Sequence, residues 1–370
     1  MTQAPKDRPL RRGWTTGACA TAATRAAFEA LVTGAAPPDP VEIALPSGKR
    51  VAFALAEFAR GEDDARAAIV KDAGDDPDVT HGALIRATVR RAAPGAGVIF
   101  KAGEGVGTIT RPGLPLPPGE PAINPVPRAM MRQTIEEAAQ RLGVGADAEI
   151  EISIPHGEEM AKHTLNGRLG IVGGLSVLGT TGIVTPFSCA AWIDSIHRGV
   201  DVARASGLAH VAGTTGSTSE AAVRDLYDLP EAALIEMGDF VGGFLKYLRA
   251  HPVERVTIGG GFAKMTKLAQ GRLDLHSGRS SVDLAQLGDT ARRAGADEET
   301  VFRVKHANSA LDALLIARAE GVDLAAPVAR GAWETAAKAL GSADVLLEVI
   351  VFDREGRLLA QTPFGKAGDA

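Results

Sequence analysis

Apolar and polar positions along the chain change rhythm near residue 190. Before it, an Ala-rich periodic segment at 18–31 predicts a helix, with Thr15 or Thr16 available as its N-cap. Two apolar runs, 41–45 and 51–55, flank Pro46-Ser47-Gly48-Lys49 and predict a hairpin. Short strands are expected at 85–89, 98–100 and 150–154, and a helix at 128–142. Seven prolines between Pro112 and Pro127 predict an extended segment without helix or central strand, of a length that suits a linker or a functional lid. After residue 190, strands at 208–212, 233–237 and 255–258 alternate with helices at 219–227, at 240–250 and from 263 onward. Such alternation predicts βαβ units and a parallel sheet. Runs at 345–352 and 357–361 around Asp353-Arg354-Glu355-Gly356 predict a closing antiparallel hairpin. The expected fold class is mixed α/β. An α+β domain spans 10–189, with a Gly/Thr-rich core segment and the Pro-rich loop, and a Rossmann-like α/β domain spans 190–370.

Composition narrows the function classes. With 45% hydrophobic and 23% charged residues the chain can bury a core, and disorder, collagen and coiled coil are excluded. Lys and Arg number 40 against 45 Asp and Glu, a net −5 that argues against a general nucleic-acid binder. Aromatics at 4% are too sparse for base-stacking platforms. Cys19 and Cys189 give neither a disulfide framework nor zinc-site spacing, so no protein-bound metal is expected, and a reducing, cytoplasmic setting is. The polar start, residues 1–12, lacks the apolar core of a secretory peptide. Residues 169–193 run 25 positions without a charge, long enough to span a bilayer. Their glycines, threonines and Pro186, with no strong flanking basic bias, predict buried strands and tight turns instead.

Candidate chemistry clusters at the glycines of the second half. Gly213, Thr214, Thr215, Gly216 and Ser217 follow one predicted strand and open a helix, where backbone N–H groups and the helix dipole favour an anionic or polar ligand. Glu236 ends the next strand, 20 residues past Gly216, the place of an acidic residue that hydrogen-bonds a ribose. Gly259 and Gly260 end the third. Together they suggest a nucleoside-bearing ligand at the carboxyl edge of the sheet, against the alternative that Gly-rich turns only let elements pack closely. GxGxxG and Walker A patterns are absent, which disfavours nicotinamide and nucleoside-triphosphate readings. So are GxSxG and HExxH, which disfavours serine hydrolases and zincins. Residues 71–81 crowd Asp72, Asp75, Asp76 and Asp78 beside His81, either a solvated acidic turn or a catalytic or donor-binding loop. His276 sits in a second polar cluster beyond a strand end, where active-site loops gather. Arg11, Arg12, Arg128, Arg132, Lys264, Lys267 and Arg279 could line an anion-binding surface despite the net charge.

Five segments together resemble one family: GWTTGACA at 13–20, KDAGDDPDVTHG at 71–82, AINPVPR at 122–128, NGRLGIVGGLSVLGTTGIVTPFS at 166–188, and 259–283 ending in LDLHSGRSSVD. They are similar to the CbiD family of cobalamin biosynthesis, over about residues 10–365. Trp14 stands where Tyr or another aromatic is usual, and Gly261-Phe262-Ala263 where a His-Pro-Gly-like turn is usual. The resemblance implies methyl transfer from S-adenosylmethionine to ring carbon 1 of cobalt-precorrin-5B, giving cobalt-precorrin-6A. The acceptor belongs to an enamine-like pyrroline, so a base near its ring N–H would help, and His276, Asp72 and Asp75 are the candidates. Thr15, Thr16, Arg128, Lys264, Lys267 and Arg279 are the expected contacts of the polycarboxylate corrin precursor. Neither nucleic acid nor membrane is an expected partner, and a homo-oligomer is left open. The competing class is a non-catalytic tetrapyrrole carrier or pathway scaffold, which would need no nucleoside pocket.

Overall fold

A computed structural model describes residues 9–341 and 344–369. The chain divides into two compact units, Met1–Cys189 and Ala190–Ala370.

In the first unit, strand β1 (Gly13–Trp14) leads into helix α1 (Thr16–Thr33). Thr15, of the two candidates, is the N-cap: its Oγ1 accepts from the Ala18 N–H, satisfying one of the helix's orphan donors. Gly34 closes the other end in the left-handed region. Nearly every α1 position from Thr16 to Leu31 is buried, and alanines keep the helix slim enough to be surrounded. The hairpin forms from β2 (Val41–Ala44) and β3 (Arg50–Phe53). Beyond it, β4 (Glu57–Arg60), β5 (Asp64–Val70), β6 (Leu84–Arg91), β7 (Val98–Ala102) and β9 (Ala148–Ser153) build a five-stranded sheet. Its order is β4-β5-β6-β9-β7, antiparallel except for β7 beside β9. The alternate residues Ala65, Ala67 and Ile69 of β5 and Ile85, Ala87 and Val89 of β6 share one core cluster with α1.

Helix α2 (Pro125–Leu142) starts three residues before the expected Arg128. Pro125 and Pro127 lie in its first turn, where a missing N–H costs nothing and a fixed φ suits the helix. The proline-rich segment therefore ends inside a helix. β8 (Thr108–Ile109) precedes that segment, and after the short α3 (Gly157–Ala161) the uncharged stretch makes β10 (Ile171–Val172) and β11 (Ile183–Val184). β10 pairs with β8 and β11 with β1. Only two strands of two residues each appear between 169 and 184, with Val172 and Leu178 exposed, so this stretch is turns more than buried strand. No described helix is long and apolar enough to cross a membrane.

Phe187 has φ 54°, a left-handed conformation that costs a bulky side chain about 1–3 kcal/mol. Its N–H donates to Asp76 Oδ1 at 2.8 Å.

The second unit begins one residue into α4 (Cys189–Ala205). It continues through β12 (His210–Thr214), α5 (Ser217–Tyr227), β13 (Leu234–Glu236), α6 (Val241–Ala250), β14 (Arg255–Gly261) and α7 (Phe262–Ala269). Four helices follow, α8 (Leu284–Arg293), α9 (Glu298–Lys305), α10 (Ala310–Ala319) and α11 (Ala325–Leu340). β15 (Leu346–Phe352), β16 (Leu358–Gln361) and β17 (Gly365–Lys366) close the chain. The sheet order is β13-β12-β14-β15-β16, with the first four strands parallel. The expected hairpin forms between β15 and β16, but β15 also completes the parallel ladder against β14. β14 pairs through Gly261, past the expected end at Ile258.

Side chains alternate between two cores. Ala212, Leu234, Ile350 and Phe352 meet Val223 of α5 on one face. Val211, Ile235, Ile258, Val349 and Val351 meet residues of α4, α6, α7 and α11 on the other. Between β14 and β15 the buried carboxylate of Glu348 accepts from the Thr257 hydroxyl at 2.6 Å and from Gln361 Nε2 at 2.8 Å, so this interior charge has the partners it needs.

Candidate active site

In the second unit the parallel strands set the site. β12 passes through α5 to β13 on one side, and β13 passes through α6 to β14 on the other. The chain therefore reverses its direction of travel across the sheet between β12 and β14, which opens a crevice beyond their carboxyl ends. Thr214 and Gly259 pair there, and the Thr215 N–H donates to the Gly259 carbonyl at 3.1 Å.

The glycines divide into two kinds. Gly213 and Gly259 are buried, and a Cβ on either would come within 2.5 Å of the Phe244 ring or 2.7 Å of Val223. A Cβ on Gly260 would meet Met265 at 2.6 Å and Thr215 Oγ1 at 2.8 Å. These three let α6, α5 and α7 pack close to the sheet, and Thr214 is fully buried with them. Gly216 and Gly261 are different. They immediately precede α5 and α7, and a Cβ on either would meet nothing within 4 Å. Neither helix has a side-chain N-cap, so the first-turn N–H groups of both stay available at the crevice. Glu236 ends β13 in register with Thr214. Among the described residues its carboxylate has no hydrogen-bond or ion-pair partner.

Two lysines of α7, read from sequence as anion-binding, are ties. Lys264 Nζ donates to the Thr215 carbonyl at 2.7 Å and pairs with Asp239 at 3.2 Å. It thereby joins the loop before α5 to the loop before α6. Lys267 is buried, and its Nζ donates to the Leu275 carbonyl at 2.8 Å. Leu275 in turn donates its N–H to the Asp239 carbonyl. The segment after α7 is thus strapped to the same edge, carrying His276 and Arg279, both exposed.

Arg279 pairs with Asp274 at 2.6 Å, its guanidinium 5.9 Å from the Phe240 ring centre. The Gly278 N–H donates to His276 Nδ1 at 3.1 Å. That bond occupies the Nδ1 lone pair, so the neutral ring carries its proton on Nε2 and presents a donor. As a base His276 would first have to give up this contact. The sequence candidate for the base therefore already has a hydrogen-bond partner at Nδ1.

The first-unit candidates lie among internal partners. In the acidic run each carboxylate has its own. Asp72 pairs with Arg11, Asp75 accepts the Arg11 backbone N–H at 2.7 Å, Asp76 accepts from Phe187, and Asp78 pairs with the buried Lys71. The Arg11 hydrogen bond, helped by the Gly74 N–H, lowers the Asp72 carboxyl to about 2, which makes it a weak base. Asp72 and Asp75 thus both have partners, and the run is a clasp on the segments around it. Thr15 and Thr16 are buried at 6% and 4% exposure, and the Thr15 hydroxyl already serves as the α1 cap. Arg128 is buried too. It donates to the carbonyls of Ile123 and Pro121, pairs with Glu120 at 2.8 Å, and so holds the proline-rich loop. Burial pushes the Cys19 thiol up to about 12 and leaves it inert. Among the described residues no group of three or more His, Cys, Asp or Glu could hold a metal.

The sequence reading missed Asp239, Leu275 and Phe187. Each acts through its backbone or through a partner distant in sequence, and only Asp239, an acidic residue just past a strand end, carried a legible signal.

The family model described as CbiD matches residues 3–186, and that of the CbiD C-terminal domain matches 274–363. The chain is 62% identical over 351 residues to the cobalt-precorrin-5B C(1)-methyltransferase of Methylorubrum extorquens, covering 95% of this chain and 97% of that one. It is 62% identical over 360 residues to the protein of the same name from a Bradyrhizobium species, covering 97% and 96%. The crystal structure of the cobalamin biosynthesis protein cbiD from Archaeoglobus fulgidus is 28% identical, covers 70% of this chain and 80% of its own, and superposes with a TM-score of 0.39. With that identity across nearly its whole length, the chain belongs to the CbiD family.

Proposed function

We propose that the protein transfers the methyl group of S-adenosylmethionine to ring carbon 1 of cobalt-precorrin-5B, with the second unit as a Rossmann-like donor-binding unit. The observation that carries the reading is the carboxyl edge of the adjacent strands β13, β12 and β14, which ends in the unpartnered Glu236 and in two helix starts without side-chain caps. These residues fall between the two matched family stretches, 3–186 and 274–363. Glu236 would take the ribose hydroxyls, and the N–H groups opening α5 and α7 the methionine carboxylate. Lys264 holds both loops in place and so acts as a positioning residue.

The chemistry asks mainly for alignment. The π pair of the enamine attacks the methyl carbon in line, a C–C bond forms, and the S–C bond breaks with its pair on sulfur. S-adenosylhomocysteine leaves neutral, and the iminium left on the ring is relieved when the N–H proton passes to water. His276 would serve instead as an N–H donor to a substrate carboxylate, beside Arg279.

Incubation with methyl-labelled S-adenosylmethionine and the corrin precursor, with mass analysis of the product, tests the reading. Label on the macrocycle supports it, whereas macrocycle binding with no label transferred and no donor bound would leave a carrier. His276→Ala should raise the KM for the corrin about tenfold while the saturated single-turnover rate barely changes. Gln, which keeps an N–H donor near the Nε2 position, should recover most of that loss. A fall of about 10²–10⁴ in the saturated rate would instead reinstate His276 as a base.

A further inference from the structure

Three described residues other than glycine have positive φ: His156, Phe187 and Asp228. Phe187 is the hydrophobic one among them and is 55% exposed. Both features run against the usual preferences. An aromatic side chain gains by burial, and a residue in the left-handed region favours glycine or asparagine. Yet the conformation is held. The N–H of Phe187 donates to Asp76 Oδ1 across 111 positions of sequence, and the preceding Pro186 is buried. Asp76 itself belongs to the clasp anchored by Arg11 on Asp72 and by Lys71 on Asp78. The strained backbone at Phe187 is tied to a distant loop, so the fold fixes where this exposed ring is attached without burying it.

We infer that Phe187 is a substrate-binding residue that lays its ring against the apolar face of the tetrapyrrole macrocycle, with Asp76 as its positioning residue. The inference rests on the proposed function for the identity of the macrocycle. A broad conjugated ring edged with carboxylates needs a flat apolar contact as well as cations, and a phenyl face supplies one at little entropy cost.

Equilibrium titration of the full-length protein with the corrin precursor, read by the macrocycle's own absorbance, tests this without requiring turnover. Phe187→Gly should raise the macrocycle Kd about tenfold, equivalent to about 1.4 kcal/mol. Its thermal midpoint should stay level or rise, because glycine relieves the left-handed strain. Affinity for S-adenosylhomocysteine should not change. Asp76→Ala should reproduce the macrocycle defect, and Asp76→Asn, whose amide oxygen can still accept the Phe187 N–H, should largely restore it. An unchanged macrocycle Kd in Phe187→Gly overturns the inference, as does a lowered midpoint with unchanged Kd, the mark of a packing residue. Wild-type protein that binds the macrocycle but transfers no label removes the proposed function and leaves the ring contact standing or falling on the same titration.

Discussion

Asp78→Asn should destabilise the first unit by about 3 kcal/mol, the lower end of the cost of stranding one partner of a buried ion pair. Lys71 is 1% exposed, and its ammonium has two acceptors, Asp78 Oδ2 and Thr80 Oγ1. Asp78 Oδ1 is occupied by the Thr80 N–H at 2.8 Å and the Thr80 hydroxyl at 2.6 Å. Asparagine would keep its oxygen on Thr80 and so turn its amide N–H groups toward Lys71, donor against donor, inside the fold. At about 2–4 °C per kcal/mol for a unit of this size, the midpoint of its transition should fall by about 6–12 °C. Adding Lys71→Met should recover much of the loss, since an apolar chain of similar length needs no acceptor.

Acid should act on the same pair. Burial raises the Asp78 carboxyl, but the Lys71 charge and the hydrogen bonds outweigh it and leave the carboxyl below its ordinary value. The pair's contribution is therefore full above about pH 4 and fades as pH falls further. A midpoint that differs by less than 2 °C between Asp78→Asn and wild type at pH 7 would refute the account.

That pair also marks where sequence reading stops. Four carboxylates in seven residues look alike in a string, and their crowding suggested chemistry. Their partners Arg11, Lys71 and Phe187 are assigned only by the fold, with Phe187 the most distant in sequence. The same holds for Lys264 and Lys267. Their charge was legible, but their attachment to the carbonyls of Thr215 and Leu275 was not, because no pattern marks a backbone acceptor. Periodicity served well where one face is apolar, as in the hairpin and the alternation of 208–258. It failed to predict α10 and α11, whose buried positions are mostly alanine and contrast weakly with their surroundings. Yet α8, α9 and α10 announce themselves through side-chain N-caps at Asp283, Asp297 and Ser309, a signal readable from sequence.

Glu236→Ala should weaken S-adenosylhomocysteine binding by about ten- to hundredfold, the range for losing hydrogen bonds to a charged group. The sulfide product is the right probe because it cannot react, so calorimetry reads affinity alone. The carboxylate ends β13 at partial exposure with no partner among the described residues, so its removal breaks no contact of the fold. The thermal midpoint of the second unit should accordingly stay within the effect of a surface change, about 0.5 kcal/mol. Glu236→Gln should fall between wild type and Ala, since an amide oxygen still accepts from one ribose hydroxyl without the charge. Corrin affinity should be indifferent to both changes. Lys264→Met offers the contrast. It should also lower donor affinity, but by releasing Thr215 and Asp239 together it should reduce stability as well, because that lysine ties two loops. If Glu236→Ala binds the sulfide within about twofold of wild type, the ribose lies elsewhere, and the crevice between β12 and β14 loses its main claim to the donor.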